Sequence, residues 1–122
     1  MNFITTSDAP PAGGHYSQAV AANGLLFVAG QLPIRLGGGI PEGIDAQTRQ
    51  ALANVEAILK AAGSGLDRVV SATVYVSDIT LWPEVNRVYA EIFGAHKPAR
   101  TVAVSPQLHF GALVEVQTIA LA

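Results

Sequence analysis

The run GALVEVQTIAL, residues 111 to 121, constrains the fold more than any other stretch of this chain. Successive side chains of an extended strand point to opposite faces. Ala112, Val114, Val116, Thr118 and Ala120 therefore take one face, and Leu113, Glu115, Gln117, Ile119 and Leu121 take the other. Both faces are largely apolar. Such a strand belongs in a sheet covered on both sides, by its own helices on one and by a partner on the other.

Composition points the same way. Half of the 122 residues are hydrophobic and 13% are charged, against about 25% charged in an average domain. A chain of this length makes one domain, spanning 1–122, with a real core, but it is too small to hide that much apolar surface alone. A homo-oligomer whose sheets meet is expected. The net charge is −2 and the seven Lys and Arg are scattered, so no basic field is available for a nucleic-acid backbone and no nucleic-acid partner is expected. Cysteine is absent, which excludes disulfides, a thiol nucleophile and thiolate metal sites, and fits a reducing compartment. The start MNFITTSDAPP has neither a basic segment nor an apolar one after it, and no apolar run approaches about 18 residues. The expected location is cytoplasmic, with no membrane association.

After a loose beginning rich in Ala, Pro and Gly, the spacing predicts a hairpin: a strand over Tyr16 to Ala21, a turn on Asn23-Gly24 and a strand over Leu25 to Ala29 that ends at Gly30. The glycine-rich loop 35–43, RLGGGIPEG, lacks the Gly-Lys-Ser/Thr ending of a phosphate cradle. Asp45 is expected to cap a helix whose apolar stripe is Ala51, Leu52, Val55, Ile58, Leu59 and Ala62, with Gly63 as its stop. Arg68 to Val76 alternates Val70, Ala72, Val74 and Val76 against Ser71, Thr73 and Tyr75, the pattern of a strand with one drier face. A second helix follows over Pro83 to Phe93, with Val85, Val88, Tyr89, Ile92 and Phe93 inward and Gly94 closing it. Strands over Thr101 to Ser105 and Gly111 to Leu121 complete the order β, β, α, β, α, β, β. This describes an α+β domain, a mixed sheet with two helices on one face.

Two ions stand out in a chain so poor in charge. Glu115 lies between Val114 and Val116, and Arg100 stands just ahead of a strand. A carboxylate among apolar neighbours loses several kcal/mol of hydration unless it is paired, hydrogen-bonded or protonated. The residues alone leave two readings open. Glu115 is either a satisfied ion pair or wet edge residue, or a group that orients and activates water. Arg100 is either a surface arginine after a proline turn, or a fork for a substrate carboxylate. Tyr16 and Asn86 carry the same choice between packing or solvation and ligand contact. The histidines His15, His96 and His109 sit in no HxH or HxxxH spacing, so no metal site is expected. No GxSxG elbow is present, so nucleophilic serine catalysis is not indicated.

The segments GHYSQAV (14–20), LLFVAGQLP (25–33), QTRQALANVEAILKAAG (47–63), VVSATVYVSD (69–78), VNRVYAEIFG (85–94), KPARTVAV (97–104) and GALVEVQTIA (111–120), taken in order, resemble the Rid/YjgF family of imine deaminases over nearly the whole chain. The resemblance implies a chorismate-mutase-like fold in a homotrimer, whose three sheets form a central barrel with clefts between subunits. It implies hydrolysis of reactive 2-imino and enamine acids to 2-oxo acids and ammonia, without a cofactor. Arg100 matches the family's carboxylate-binding arginine and Glu115 its water-positioning glutamate, the two converging on one cleft walled by a second copy. Gly30 and the backbone at Val102 match ligand-contacting main-chain positions, Tyr16 the tyrosine lining the cleft, and Asn86 a helix asparagine near the site. Many relatives carry Pro, Ser, Cys and Pro where this chain has His15, Ala29, Val102 and His109. The loss of hydroxyl and thiol touches substrate range more than the Arg and Glu pair, and His15 and His109 are candidates for a titratable wall. A carboxylate-binding or regulatory module using the same cleft without turnover is the competing function.

Overall fold

The computed structural model describes all 122 residues. Its architecture is a six-stranded mixed sheet with two helices on one face. The strands are β1 (Asn2–Ile4), β2 (Ala19–Ala22), β3 (Leu25–Gln31), β4 (Val69–Val76), β5 (Ala99–Val104) and β6 (Val114–Leu121); the helices are α1 (Ile44–Ala61) and α2 (Trp82–Phe93). The sheet order is β1-β2-β3-β6-β4-β5, with β4 and β5 parallel and every other pair antiparallel.

The β2–β3 hairpin turns where expected. Asn23 and Gly24 take φ 55° and 78°, the two left-handed residues that a two-residue hairpin turn needs. β2 starts at Ala19 rather than at Tyr16, because the chain before it is bent and held by the side chain of Gln18. That buried amide accepts from Thr6 N at 2.7 Å and donates to Pro10 O at 2.8 Å. β1 was not expected. Its three residues carry too little pattern to read, yet they pair with β2 from Asn2↔Ala21 to Ile4↔Ala19.

α1 buries the predicted stripe: Ala51, Leu52, Val55, Ile58 and Leu59 lie against the sheet with almost no exposure. Its end is a Schellman motif, with Ser64 N donating to Leu59 O and Gly63 N to Lys60 O around a left-handed Gly63. Asp45 is not its cap. Gly43 occupies that position without a side-chain bond, and Asp45 lies inside the first turn. Its carboxylate accepts from Arg49 and Arg87 at 2.7 Å each, tying α1 to α2. α2 carries Pro83 in its first turn, buries Val85, Val88, Tyr89 and Phe93, and ends at Gly94 with φ 62°.

β4 departs from simple alternation. A register shift between Val69 and Ser71 buries Val69 and turns Val70 outward, contrary to the sequence pattern, while Ala72, Val74 and Val76 stay in the core. β6 lies between β3 and β4, and its two faces differ as predicted. Val114, Val116, Thr118 and Ala120 are buried under the helices. On the opposite face no element of the protomer covers Phe27 and Leu121, 42% and 43% exposed, or the half-buried Ile119 beside Phe27.

Candidate active site

Glu115 is placed by two features of backbone register. Alternation along β6 sends it to the uncovered face, opposite Tyr75 of β4. On its other side β3 bulges: Val28 pairs with Thr118 and Gln31 with Val116, so Ala29 and Gly30 together face the single residue Gln117. The bulge brings the backbone of Gly30 against the Glu115 carboxylate. A Cβ at position 30 would stand 2.5 Å from Glu115 Oε2 and 3.2 Å from its Cδ, so only glycine leaves the carboxylate where it is.

The half-buried Glu115 makes no ion pair in the protomer. Burial pushes its pKa above the usual carboxylate value, and the charge of His109 pulls it partly back. Arg100, expected to converge with Glu115 on one cleft, is not among the charges that act on it. The carboxylate faces a cleft of about 460 Å³ that is also lined by Tyr16, Gly30, Leu32, His109 and Phe110. Tyr16 stands on its rim, half exposed, its hydroxyl accepting from Gly13 N at 3.1 Å. His15 is exposed and is not part of this wall.

Arg100 lies on the other face of the sheet. It pairs across β5–β4 with Ala72, whose side chain is in the core, and it therefore points to the helix side. There its guanidinium stacks over Trp82 and Tyr89, 4.6 and 4.8 Å from the ring centroids, and Nη1 donates to Asn86 Oδ1 at 3.0 Å. Trp82, Asn86 and Tyr89 are spaced i, i+4, i+7, one stripe of α2. Arg49 and Arg87 are both matched by Asp45, Glu84 and Glu91, but no carboxylate meets Arg100. A second cleft, about 340 Å³, opens beside it, with Asn86, Tyr89, Phe93 and Lys97 in its lining. Burial raises the pKa of Tyr89, whose hydroxyl has no hydrogen-bond partner, and the charge of Arg100 lowers it in part.

The side chain of Val102 packs on the core, while its backbone is on the open edge of the sheet. Ser105 N donates to Val76 O, and alternation from that bond turns the N–H and C=O of Val102 away from β4.

The predicted site residues thus fall into two groups. Tyr16, Gly30 and Glu115 line one cleft; Arg100, Asn86 and the Val102 backbone lie along β5 and α2 on the opposite side. One protomer does not bring Arg100 and Glu115 together. Sequence reasoning missed Trp82 as a wall of the arginine's seat, although its helical spacing from Asn86 and Tyr89 was there to be read. It also missed Phe110, for which no periodic signal existed.

Fold and site together define a small α+β domain with an unpaired carboxylate and an unpaired guanidinium on opposite faces of one sheet. The family described as Endoribonuclease L-PSP matches residues 6–122. A RutC family protein of Pyrococcus horikoshii is 44% identical over 96% of this chain and 94% of its own length. The bovine 2-iminobutanoate/2-iminopropanoate deaminase is 40% identical over 98% of this chain and 88% of its own. The crystal structure of Escherichia coli TdcF with bound serine superposes with a TM-score of 0.96 at 32% identity, covering 100% of this chain and 99% of that one. The chain belongs to the Rid/YjgF family, which includes imine deaminases.

Proposed function

We propose that this protein hydrolyses reactive 2-imino and enamine acids to 2-oxo acids and ammonia, in sites that each take Glu115 from one copy and Arg100 from the next. The observation that carries this reading is the isolation of the two ions: Glu115 lies against Gly30 at the β3 bulge, Arg100 sits over Trp82 and Tyr89 with a bond to Asn86, and neither has a counter-ion. A fixed ion without a partner is poised for a ligand. The uncovered sheet face with Phe27, Ile119 and Leu121 supplies a reason for copies to associate, as in a homotrimer with the sheets inward. Such an assembly fits a cytoplasmic enzyme, and the bovine relative's name supports the reaction class.

In this mechanism the guanidinium of Arg100 grips the substrate carboxylate with two parallel N–H···O bonds, and its seat over Trp82 and Tyr89 steadies that fork. The imine carbon then lies over Glu115. The raised pKa of Glu115 makes its carboxylate a better base than an exposed one. It takes a proton from water as the oxygen adds to the carbon of the protonated C=N group, giving a neutral carbinolamine. The Glu115 carboxyl returns that proton to the nitrogen, the C–N bond breaks to release ammonia, and the hydroxyl gives its proton to the Glu115 carboxylate as the C=O bond forms. Positioning supplies much of the gain.

Subunit mixing tests this directly. Arg100→Ala and Glu115→Gln each abolish ammonia release from 2-iminopropanoate generated in situ. When the two variants are denatured together and refolded as mixed trimers, about one site in four regains both groups if they come from different copies. No recovery at any mixing ratio contradicts the shared site.

A second reading, a carboxylate-binding module without turnover, draws on the TdcF structure with its bound serine. It predicts ligand binding that survives Glu115→Gln and no ammonia release by the wild type. A ribonuclease reading finds less support. Arg49 and Arg87 are engaged in ion pairs, and a chain of net charge −2 offers little basic surface to a phosphate backbone.

A further inference from the structure

The turn that precedes β6 holds the one bulky residue of the chain in left-handed backbone. Phe110 has φ 61° and ψ 21°, a conformation that large side chains rarely adopt, and the residue is 76% exposed. Nothing in the core rewards this. The turn is clamped on both sides of the ring. Ala112 N donates to His109 O at 3.1 Å, Ala112 is itself buried, and Leu113 N donates at 2.8 Å to Oε1 of Gln47, a buried side chain of α1. With its neighbours pinned, Phe110 is held out of the core and into the lining of the Glu115 cleft. Backbone strain of this kind concentrates where a ligand is handled.

The cleft is large for a three-carbon substrate. Its volume of about 460 Å³ falls within the range of pockets that hold drug-sized ligands, and beyond Glu115 and His109 its walls are the rings of Phe110 and Tyr16, Leu32, Ala29 and glycines. With the carboxylate taken by arginine and the reacting carbon over Glu115, this wall is the part of the Glu115 cleft left for the substrate's side chain.

We propose that Phe110 determines specificity: it forms the wall that selects 2-imino acids with branched aliphatic or aromatic side chains over those with a methyl group. The reaction named here rests on the deaminase reading, but the selection itself is a property of binding. It is therefore testable with stable 2-oxo acids, whether or not turnover occurs.

The experiment measures the affinities of pyruvate, 4-methyl-2-oxopentanoate and phenylpyruvate by calorimetry for the wild type, Phe110→Asn and Phe110→Leu, with the oligomeric mass of each from light scattering. Asparagine tolerates left-handed backbone, so that variant keeps the turn. The wild type is expected to bind phenylpyruvate at least about ten-fold more tightly than pyruvate, the scale set by a few apolar contacts. Phe110→Asn loses that preference, its phenylpyruvate affinity falling about ten-fold towards that of pyruvate, and Phe110→Leu restores the preference for the branched acid. Equal affinities in the wild type, a preference that survives Phe110→Asn, or dissociation of the Phe110→Asn oligomer each overturn the proposal. Ammonia release from the matching 2-imino acids is followed in parallel: selective binding without any release counts against the deaminase reading and leaves the role of Phe110 standing.

Discussion

Gly30→Ala separates position from chemistry most sharply. The added methyl would stand 2.5 Å from Glu115 Oε2, whereas non-bonded heavy atoms settle at roughly 3.5 Å. The carboxylate must therefore withdraw by about 1 Å, a misplacement that costs on the order of a hundred-fold in rate, or about 2.7 kcal/mol of transition-state stabilisation. Stability should hardly change, because the clash is with the free end of a side chain and the φ of Gly30 lies outside the left-handed region. The assay is steady-state ammonia release from 2-iminopropanoate, with kcat and KM resolved and the unfolding midpoint measured alongside. The expected result is a kcat lower by about a hundred-fold and a KM within about three-fold, since Arg100 still holds the carboxylate. Gly24→Ala is the control: at φ 78° and with open space around it, alanine there costs about 1–2 kcal/mol of stability and leaves kcat alone. A Gly30→Ala enzyme with undiminished kcat would refute the role given to the Glu115 carboxylate.

Three further outcomes follow from the same geometry. Glu115→Gln should raise the unfolding midpoint at neutral and alkaline pH. The folded pKa of Glu115 lies above its unfolded value, so the ionised form is disfavoured in the fold and the wild type loses stability as pH rises through that folded pKa; differential calorimetry at pH 4 and pH 8 should show the gain only at the higher pH. Trp82→Leu removes one of the two rings under Arg100, worth roughly 0.5–1 kcal/mol, so KM should rise about two- to five-fold with kcat nearly intact, and Trp82→Phe should recover part of it. Asp45→Asn should lower the midpoint at neutral pH. The Arg49 guanidinium, with Arg87, holds the Asp45 carboxyl below its usual pKa, so its contribution is present above the unfolded pKa and disappears as acid titrates the folded group; wild type and variant should melt alike at the acid end.

Local signals carried most of the fold. Asn23-Gly24 specified its turn because two adjacent left-handed residues suit that pair, and the α1 stripe from Ala51 to Leu59 was legible because a helix repeats within a few residues. Where a rule needed a partner strand, reading by pattern failed. Val70 looked like a core residue until the register shift beside Ser71 turned it out, and β1 had no pattern at all until β2 supplied its pairing. Asp45 was read as a cap from its place ahead of an apolar stripe, yet its partners are an arginine one turn on and another on the second helix. The site behaved alike: Gly30, Glu115 and Tyr16 do share a cleft, while Phe110, in an aperiodic turn, announced itself only through its φ.

The amino-acid order by itself determined that Glu115 would share a largely apolar face with Leu113 and Ile119; it set Arg100 just ahead of a strand, whereas β5 begins at Ala99 and takes Arg100 in. Alternation within a strand suffices for the shared face. It could not say which face of β5 matches which face of β6, since those strands never touch. The relation passes through β4, by the pairing of Arg100 with Ala72 on one side and of Tyr75 with Glu115 on the other. Only tertiary structure settles that chain of registers, and it puts guanidinium and carboxylate on opposite sides of one sheet, so that a site containing both requires a second copy.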